Sequence, residues 1–383
     1  MVGVNEAVNG VLDLGGSGQV LTEARRVAAD ISRQLGIEVD AATVLAGRAA
    51  LMNLTAQGRI SPGGATRLLA TADSWCAVAL PRDDDVAALP ALMEVDEVTG
   101  DHWIALTRWA ATCPTDRVVS RAQLLDIAAA ALGEAPPAPP AVRPNGISAR
   151  SRGFEGLLVA DLSSLWAGPL CTQLLVRAGA TVVKVESRTR PDGTRRGEPA
   201  FFDWMNSGKL CYAVDFDRDD DALRRLLAAA DIVIEGSRPA GLRRRKLSAD
   251  DVPARPGRIW LRINGYRDQP DRPAFGDDAA VAGGLVGAAA DGPVFCGDAI
   301  ADPLSGLEAA RAIGESLRRG GGEVIDVSMA QVAARYAALP QSTDGAAPFN
   351  RPQPPPAVPA ASPLGTDNAA VERLVAARSC ATC

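Results

Sequence analysis

Apolar residues recur at helical spacing near the start of the chain. They lie three or four residues apart, which is the period of one buried helix face. The residues concerned are Val20, Ala24, Val27, Ile31 and Leu35. The pattern predicts a helix that Gly36 ends, and the same spacing predicts a second helix over residues 41–54.

The pattern changes after residue 54, where short apolar runs flank turn residues. Pro62, Gly63 and Gly64 predict a turn or flexible loop. Residues 67–70 and 75–80 predict the two strands of a hairpin around Asp73. Helical patterns follow over residues 84–92, 100–111 and 120–131.

Strands and helices alternate after a proline-rich stretch. Strands are expected at 157–161, 181–185, 231–235, 259–263 and 323–327 and within residues 293–310, with helices at 169–178, 219–229 and up to residue 318. This alternation is typical of an α/β protein with a doubly wound parallel sheet, here a Rossmann-like large domain beside a smaller α+β N-terminal domain. The predicted division is a small domain with a glycine loop (1–133), a linker (134–150), the large domain (151–340), and a proline-rich segment with a C-terminal helix (341–383).

Residues 293–310 (PVFCGDAIADPLSGLEAA) predict a strand, a turn and the start of a helix. Asp302 falls at the turn, and Gly306 is expected to open the helix. A carboxylate at a strand-to-helix turn can face a pocket at the edge of the sheet. Asp302 is therefore the candidate nucleophile or base.

Composition narrows the chemistry further. The 383 residues carry a net charge of −6, which disfavours a nucleic-acid partner. The chain contains no run of about eighteen apolar residues, so no membrane span is expected. The N-terminus lacks a signal-peptide pattern, and a cytoplasmic protein is expected. Cys380 and Cys383 form the one CxxC among seven cysteines, and without a second such pair no metal site is expected.

The single histidine, His102, leaves little room for Ser-His-Asp or Cys-His catalysis. The sequence also lacks the glycine-rich motif of dinucleotide-binding sites, the P-loop motif and the nucleophile-elbow motif of hydrolases. The turn after the first α/β strand has the sequence LSSLWAGP, at a helix N-terminus that favours anions. Arginines crowd the next two turns, so the edge suits a phosphorylated carrier, although an ordinary solvated basic surface is the alternative.

Three separated stretches resemble the signatures of the family III CoA-transferases, the group that contains formyl-CoA and carnitine CoA-transferases. They are GLLVADLSSLWAGPLCTQLLVRAGATVVKVE, ADIVIEGSRPAGLRRRKL and GDAIADPLSGLEAARAIGESLRRGGGEVIDVSM. The resemblance covers residues 155–335, and the tail ASPLGTDNAAVERLV resembles the family's C-terminal end.

The resemblance implies roles for individual residues. Asp302 would be the nucleophile that forms an aspartyl-CoA intermediate, and amides at the helix start near Gly306, or in a glycine loop, would stabilise each oxyanion. The residues implied to bind CoA are Leu165, Trp166, Ala167, Arg188, Ser237, Arg238 and Arg244. The implied substrates are an acyl-CoA thioester and a carboxylic acid, with no permanently bound cofactor, and the implied assembly is a homodimer, in the family an interlocked one.

The sequence departs from the family pattern in two places. The small domain is missing from its usual position after the last strand, whereas residues 47–111 resemble it, with Gly63 and Gly64 as the loop that covers the aspartate. The third-strand turn carries Gly236 and Ser237 where the family usually has Asn-Phe.

Two other functions stay open. An α-methylacyl-CoA racemase would need a histidine near residues 275–278, where Asp277 and Asp278 are the stand-ins that the sequence offers. A non-catalytic CoA-binding protein is the other alternative.

Overall fold

The computed structural model describes residues 18–216, 218–236, 238–340 and 353–380. The helices are α1 (Gly18–Leu35), α2 (Ala41–Leu51), α3 (Asp83–Ala87), α4 (Leu89–Met93), α5 (His102–Ala110), α6 (Thr115–Leu124), α7 (Ala167–Arg177), α8 (Pro199–Asn206), α9 (Asp220–Ala229), α10 (Pro239–Arg244), α11 (Gly276–Ala282), α12 (Ala301–Arg319), α13 (Met329–Ala337) and α14 (Asn368–Cys380). The strands are β1 (Thr66–Ala70), β2 (Trp75–Ala79), β3 (Ala128–Ala131), β4 (Ala141–Pro144), β5 (Leu158–Leu162), β6 (Thr181–Ser187), β7 (Leu210–Val214), β8 (Ile232–Glu235), β9 (Ile259–Asn264), β10 (Val286–Ala289), β11 (Gly292–Phe295) and β12 (Glu323–Ser328).

The largest sheet of the described residues has seven strands in the order β4-β12-β9-β8-β5-β6-β7. All neighbours pair in parallel except β4, which pairs antiparallel with β12 at one edge. Counted along the chain, the six parallel strands have the order 6-5-4-1-2-3. The predicted α/β class with a large, mostly parallel sheet is therefore confirmed.

Alternate residues of the central strands face opposite layers of helices. Val159 of β5 packs in the core beneath α1, α2, α7 and α12, whereas Leu158 and Ala160 pack in the core beneath α9 and α14. Burial on both faces explains why the strands are continuously apolar. It also leaves the ends of the strands as the place where polar side chains reach solvent.

A second, smaller sheet of three antiparallel strands, β1-β2-β3, has its own core beneath α3 to α6. The predicted hairpin is confirmed, with Thr66 opposite Ala79 and Ala70 opposite Trp75. The predicted helix over residues 120–131 is wrong in its second half. Residues 128–131 are four alanines that pair with β2, so strand pairing overrides the helix preference of alanine.

Helices α1 and α2 pack in the core of the seven-stranded sheet, with Val27, Ile31 and Leu45 fully buried there. The packing therefore cuts across the predicted division at residue 133, which grouped these helices with the small sheet. The division into domains stays a prediction.

The stretch around Asp302 also differs from its prediction. Strand β11 pairs with β10 in a separate hairpin and does not join the seven-stranded sheet. Helix α12 begins at Ala301, five residues before Gly306, so Asp302 lies in the first helical turn. Gly306 lies inside the helix, where its amide belongs to the helical hydrogen-bond pattern and does not open the helix.

The edge of the large sheet at β7 is covered by the C-terminal segment. The side chain of Asn368 donates to Ala213 O at 2.8 Å and accepts from Ala213 N at 2.9 Å, as a neighbouring strand would. Val371 and Val375 of α14 then pack on the same core as α9. Within the described part of the chain, every helix is too short or too polar to cross a membrane.

The contact between α7 and α12 depends on the absence of a side chain at Gly306. A Cβ there would lie 2.8 Å from both Ala167 O and the side chain of Leu170. We expect Gly306→Ala to lower the free energy of unfolding by about 1–3 kcal/mol, because the two helices must move apart. Urea denaturation measures this change.

The matched control is Gly241→Ala in α10, where a Cβ meets nothing within 4 Å. Alanine is the better helix former, so this variant should be as stable as the parent or slightly more stable. Equal losses in both variants would contradict the packing argument.

Candidate active site

The carboxyl ends of the parallel strands form one continuous edge lined by two adjoining cavities. Chain order reverses between β5 and β8, which is where ligands bind in open α/β sheets. The larger cavity, of 900 Å³, lies over the ends of β5, β6 and β7. The smaller cavity, of 340 Å³, lies over the ends of β5, β8 and β9 and contains Asp302. Arg82, Ser164, Leu165, Arg190 and Phe275 border both cavities.

Two fully buried ion pairs hold the turn between β5 and α7. Lys184 Nζ lies 2.8 Å from Asp192, and Lys209 Nζ lies 3.1 Å from Asp161. Lys209 also donates to Pro169 O in the first turn of α7 at 3.0 Å. Buried charges are tolerated only when paired and hydrogen-bonded, and both pairs meet that condition.

The same carboxylates set the path of the turn. Asp161 accepts hydrogen bonds from the amide and hydroxyl of Ser163, and Asp192 accepts from the amide of Leu165 at 3.2 Å. Leu165 has φ +70°, an unusual conformation for a branched side chain, which these bonds hold in place. A Cβ at Gly168 would lie 2.2 Å from Ser163, so only glycine permits this turn.

Asp302 lies where α12 meets α7. The backbone amide of Ala167, the first residue of α7, faces its carboxylate. The N-terminus of a helix carries partial positive charge, so this amide favours the anion. Gly276 at the start of α11 also lies close to the carboxylate, since a Cβ there would lie 2.3 Å from Asp302 Oδ2.

The surroundings raise the pKa of Asp302 to about 7. Burial is the largest cause, and the charges of Asp277 and Asp298 act in the same direction. The guanidinium of Arg48 and the Ala167 amide oppose them. The carboxyl group thus titrates near neutral pH, which suits a group that alternates between a nucleophile and a leaving group.

Two further carboxylates lie beside Asp302. Asp277 accepts from Ala299 N at 3.0 Å and from Thr66 Oγ1 at 3.2 Å, so it holds the turn that precedes α12. Burial raises its pKa to about 6. Asp298 is buried and pairs with Arg48, and its second oxygen has no hydrogen-bond partner in the described part of the chain.

The predicted CoA-binding residues separate into two groups. Leu165 borders both cavities, and Ala167 and Arg238 border the smaller one. Trp166 is 3% exposed and borders neither cavity, and it packs edge-on against Phe201, which borders the larger one. Arg188 and Arg244 are exposed and border neither cavity, and Ser237 lies outside the described residues.

Asp277, Asp298 and Asp302 form a carboxylate cluster. The glycine loop lies close to this cluster but does not border the smaller cavity. Gly64 has φ +80°, as a tight turn requires. A Cβ at Gly63 would lie 3.8 Å from Arg48 Nη2, and Arg48 is the residue that pairs with Asp298. One guanidinium therefore separates the loop from the acidic residues around Asp302.

Sequence reasoning missed several arginines of the site. Arg48 lies in the last turn of α2, and Arg82 precedes α3, both far from the recognised motifs. Arg190 and Arg245 border the larger cavity where Arg188 and Arg244 were expected. The arginine-rich turns correctly indicated the segments that border the cavity. The arginine that faces the cavity within each segment depends on the direction of its side chain, which the sequence does not give. In the described part of the chain, no group of three or more His, Cys, Asp or Glu side chains is placed to hold a metal ion.

Comparison with known proteins places this geometry in a family. The model of CoA-transferase family III matches residues 154–370, more than half of the chain. The succinyl-CoA–D-citramalate CoA-transferase of Chloroflexus aurantiacus is 27% identical over 46% of this chain and 49% of that protein. The succinate–glutarate CoA-transferase of Agrobacterium fabrum is 29% identical over 47% of this chain and 51% of that protein.

The formyl-CoA:oxalate CoA-transferase of Streptomyces avermitilis is 28% identical over 47% of this chain and 48% of that protein. The chain thus spans about half the length of the curated relatives it matches. Among solved structures, a CaiB/BaiF family protein from Brucella suis is 28% identical, covering 49% of this chain and 56% of that one, with a TM-score of 0.44.

Removal of one partner from the buried ion pairs should destabilise the protein. Lys184→Met leaves Asp192 as an unpaired buried charge, and we expect the free energy of unfolding to fall by about 3–5 kcal/mol. The control is Arg143→Met, which breaks the exposed pair with Asp250 and should cost less than about 1 kcal/mol. Similar losses in the two variants, measured by urea denaturation, would show that the buried pair does not hold the turn.

Proposed function

This chain belongs to CoA-transferase family III, and from that membership and the geometry of the cleft we propose that it transfers CoA from an acyl-CoA to a carboxylic acid. The observation that carries the proposal is the position of Asp302, in a cavity at the strand ends with a helix N-terminus facing its carboxylate. The CoA thioester is a substrate, and no permanently bound cofactor takes part.

In the proposed mechanism, Asp302 attacks the thioester carbonyl and CoA leaves as a thiolate, which gives a mixed anhydride. The thiolate then attacks the aspartyl carbonyl, which releases the first acid and forms an aspartyl-CoA thioester. The acceptor carboxylate attacks this thioester and expels CoA thiolate, which gives a second mixed anhydride. The thiolate then attacks the acceptor's acyl carbonyl, which forms the new acyl-CoA and releases the Asp302 carboxylate. Covalent catalysis divides one difficult exchange into easier steps.

The amide of Ala167 is placed to assist these steps. It already faces the carboxylate of Asp302, where the aspartyl oxyanions would develop. Fixed amides in a water-poor site stabilise such charge without reorganisation. We assign to Ala167 the role that the sequence resemblance gave to amides near Gly306.

The larger cavity is the proposed site for the nucleotide end of CoA. Its border includes Arg190, Arg196 and Arg245 at the ends of β6 and α10. Arginine binds phosphate in bidentate fashion, which suits a carrier with a phosphorylated nucleotide. Leu165 would lie between the two cavities, beside the pantetheine arm.

A racemase is the less favoured alternative. It needs a second proton-transfer group that faces the reacting carbon. Both oxygens of Asp277 are engaged by Ala299 and Thr66, and Asp278 caps its own helix through Phe275 N. Neither aspartate borders the cavity of Asp302.

We further propose that the protein acts in the cytoplasm as a homodimer, in which an interlocked arrangement is the form that the family resemblance implies. Sedimentation analysis of the purified chain tests the dimer directly.

Loss of the Asp302 carboxylate should abolish CoA exchange. We expect Asp302→Asn to lower kcat at least about 1000-fold, because the amide cannot form the anhydride. Succinyl-CoA with glutarate, a pair chosen from the named relatives, is a suitable first substrate pair. Mass spectrometry of the CoA products measures the exchange, and hydroxylamine should convert the acylated enzyme to a hydroxamate at Asp302.

Glu315→Gln on the exposed side of the same helix is the matched control and should keep its activity. Exchange that persists in Asp302→Asn would refute the nucleophile. α-Proton exchange without CoA transfer would favour the racemase, and CoA binding without either reaction would indicate a binding protein.

Arg190 and Arg188 make different predictions for CoA binding. Arg190 borders both cavities, whereas Arg188 borders neither. Loss of a charge-assisted contact costs about 1.5–3 kcal/mol, so Arg190→Met should raise the Kd for CoA about tenfold or more. Arg188→Met should change it less than about twofold. Calorimetric titration measures the Kd of each variant. A larger increase in Arg188→Met than in Arg190→Met would show that Arg188, the residue implied by the sequence resemblance, makes the contact with CoA.

A further inference from the structure

Arg48 reaches the carboxylate cluster from outside the part of the chain that the family model matches. It lies in α2, whereas the match begins at residue 154. Its Nη1 lies 2.6 Å from Asp298 Oδ1. Its guanidinium carbon lies 5.5 Å from the ring centres of both Trp166 and Phe201. An ion pair and two aromatic faces therefore hold the guanidinium in one place.

The cluster would carry a large excess of negative charge without this residue. The half-buried Asp277 and the buried Asp298 lie beside Asp302, and each raises the pKa of the Asp302 carboxyl group. Burial acts in the same direction. Arg48 has a larger effect on Asp302 than Asp277 or Asp298 has, and it lowers the pKa.

Arg48 borders the larger cavity, and the arginines that border the smaller cavity with Asp302 are placed differently. These arginines are Arg82, Arg190, Arg238 and Arg272. Arg82 pairs with Asp85, Arg238 with Asp126 and Arg272 with Glu134, all on the side of the small sheet. Arg190 is exposed and borders both cavities. Arg48 is the arginine paired inside the carboxylate cluster itself.

We propose that Arg48 is a positioning residue for catalysis, whose fixed charge keeps Asp302 ionised, and therefore nucleophilic, in a site that burial and two neighbouring carboxylates would otherwise keep protonated. The proposal rests on the CoA-transfer function for its kinetic consequence, but not for the electrostatic effect. It also gives α2 a part in the reaction. That part is electrostatic, because α2 contributes no residue that touches the reacting atoms.

The test is the pH dependence of kcat/KM for CoA exchange in the parent protein, Arg48→Lys and Arg48→Met. The parent activity should rise with pH through about 7, where the Asp302 carboxyl group loses its proton. In Arg48→Met this rise should move up by at least one pH unit, so that activity near pH 6.5 falls about tenfold or more. Activity at pH 9 should stay within a few-fold of the parent, and Arg48→Lys should restore most of the shift.

Asp298→Asn provides a test of opposite sign. It removes a negative charge and leaves Arg48 unpaired, so the rise should move to lower pH. Arg59→Met is the matched control, because Arg59 also joins an ion pair, with Asp291, to a ring contact, with Trp75, but lies outside the cluster. Its pH profile should equal that of the parent.

A measurement independent of activity separates this proposal from the proposed function. Carbon-13 NMR of carboxyl-labelled aspartate, assigned by comparison with Asp302→Asn, gives the titration of Asp302 itself. An upward shift in Arg48→Met supports the proposal even if no CoA exchange occurs. An unchanged titration in both Arg48→Met and Asp298→Asn, or a loss of activity that is equal at every pH, would overturn it.

Discussion

The site depends on two buried ion pairs beneath the turn that leaves β5. Lys184 with Asp192 and Lys209 with Asp161 are fully buried, and their carboxylates accept the hydrogen bonds that give the turn its shape. An apolar core could support the strands but could not hold Leu165 at a positive φ or direct an amide outward. The cost of burying four charges is offset only because every one of them has several partners. That requirement makes the turn rigid where it borders both cavities.

Rigidity at this turn is passed to Asp302 through glycine. Gly168 lets the turn fold back on Ser163, Gly306 lets α12 lie directly on α7, and Gly276 lets α11 approach the carboxylate. Each of these positions would place a Cβ closer than 3.0 Å to a neighbour. The carboxylate is therefore placed by backbones in contact, and side-chain flexibility contributes little to its position. Such placement suits the proposed nucleophile, which would accept and release a covalent bond without moving.

The parts predicted from the sequence are those with a local or periodic signal. The parallel strands were recognisable because burial on both faces makes them continuously apolar, and Asp302 was recognisable from its turn and its flanking motifs. Residues 128–131 were predicted as helix because four alanines carry no pattern, and only pairing with β2 makes them a strand. Arg48 was missed because its role comes from a contact with Asp298, 250 positions away, which no spacing in the sequence records. Arg190 was present in a predicted cluster, but the choice between it and Arg188 required the direction of each side chain.

The N-terminal third of the chain supplies charges that complete a cleft built mainly by the family-matched part. Arg82 borders both cavities, and Arg48 pairs with Asp298 beside Asp302, yet both precede residue 154. The matched part provides the sheet, the turn and the carboxylate, which are the elements needed for any CoA transfer. The N-terminal part provides Arg48 and Arg82, whose charges we propose to act on the protonation of the carboxylate and on anionic groups in the cavities. If the chain transfers CoA as proposed, the reactive carboxylate lies in the family-matched part, and the arginine proposed to adjust its protonation lies before residue 154.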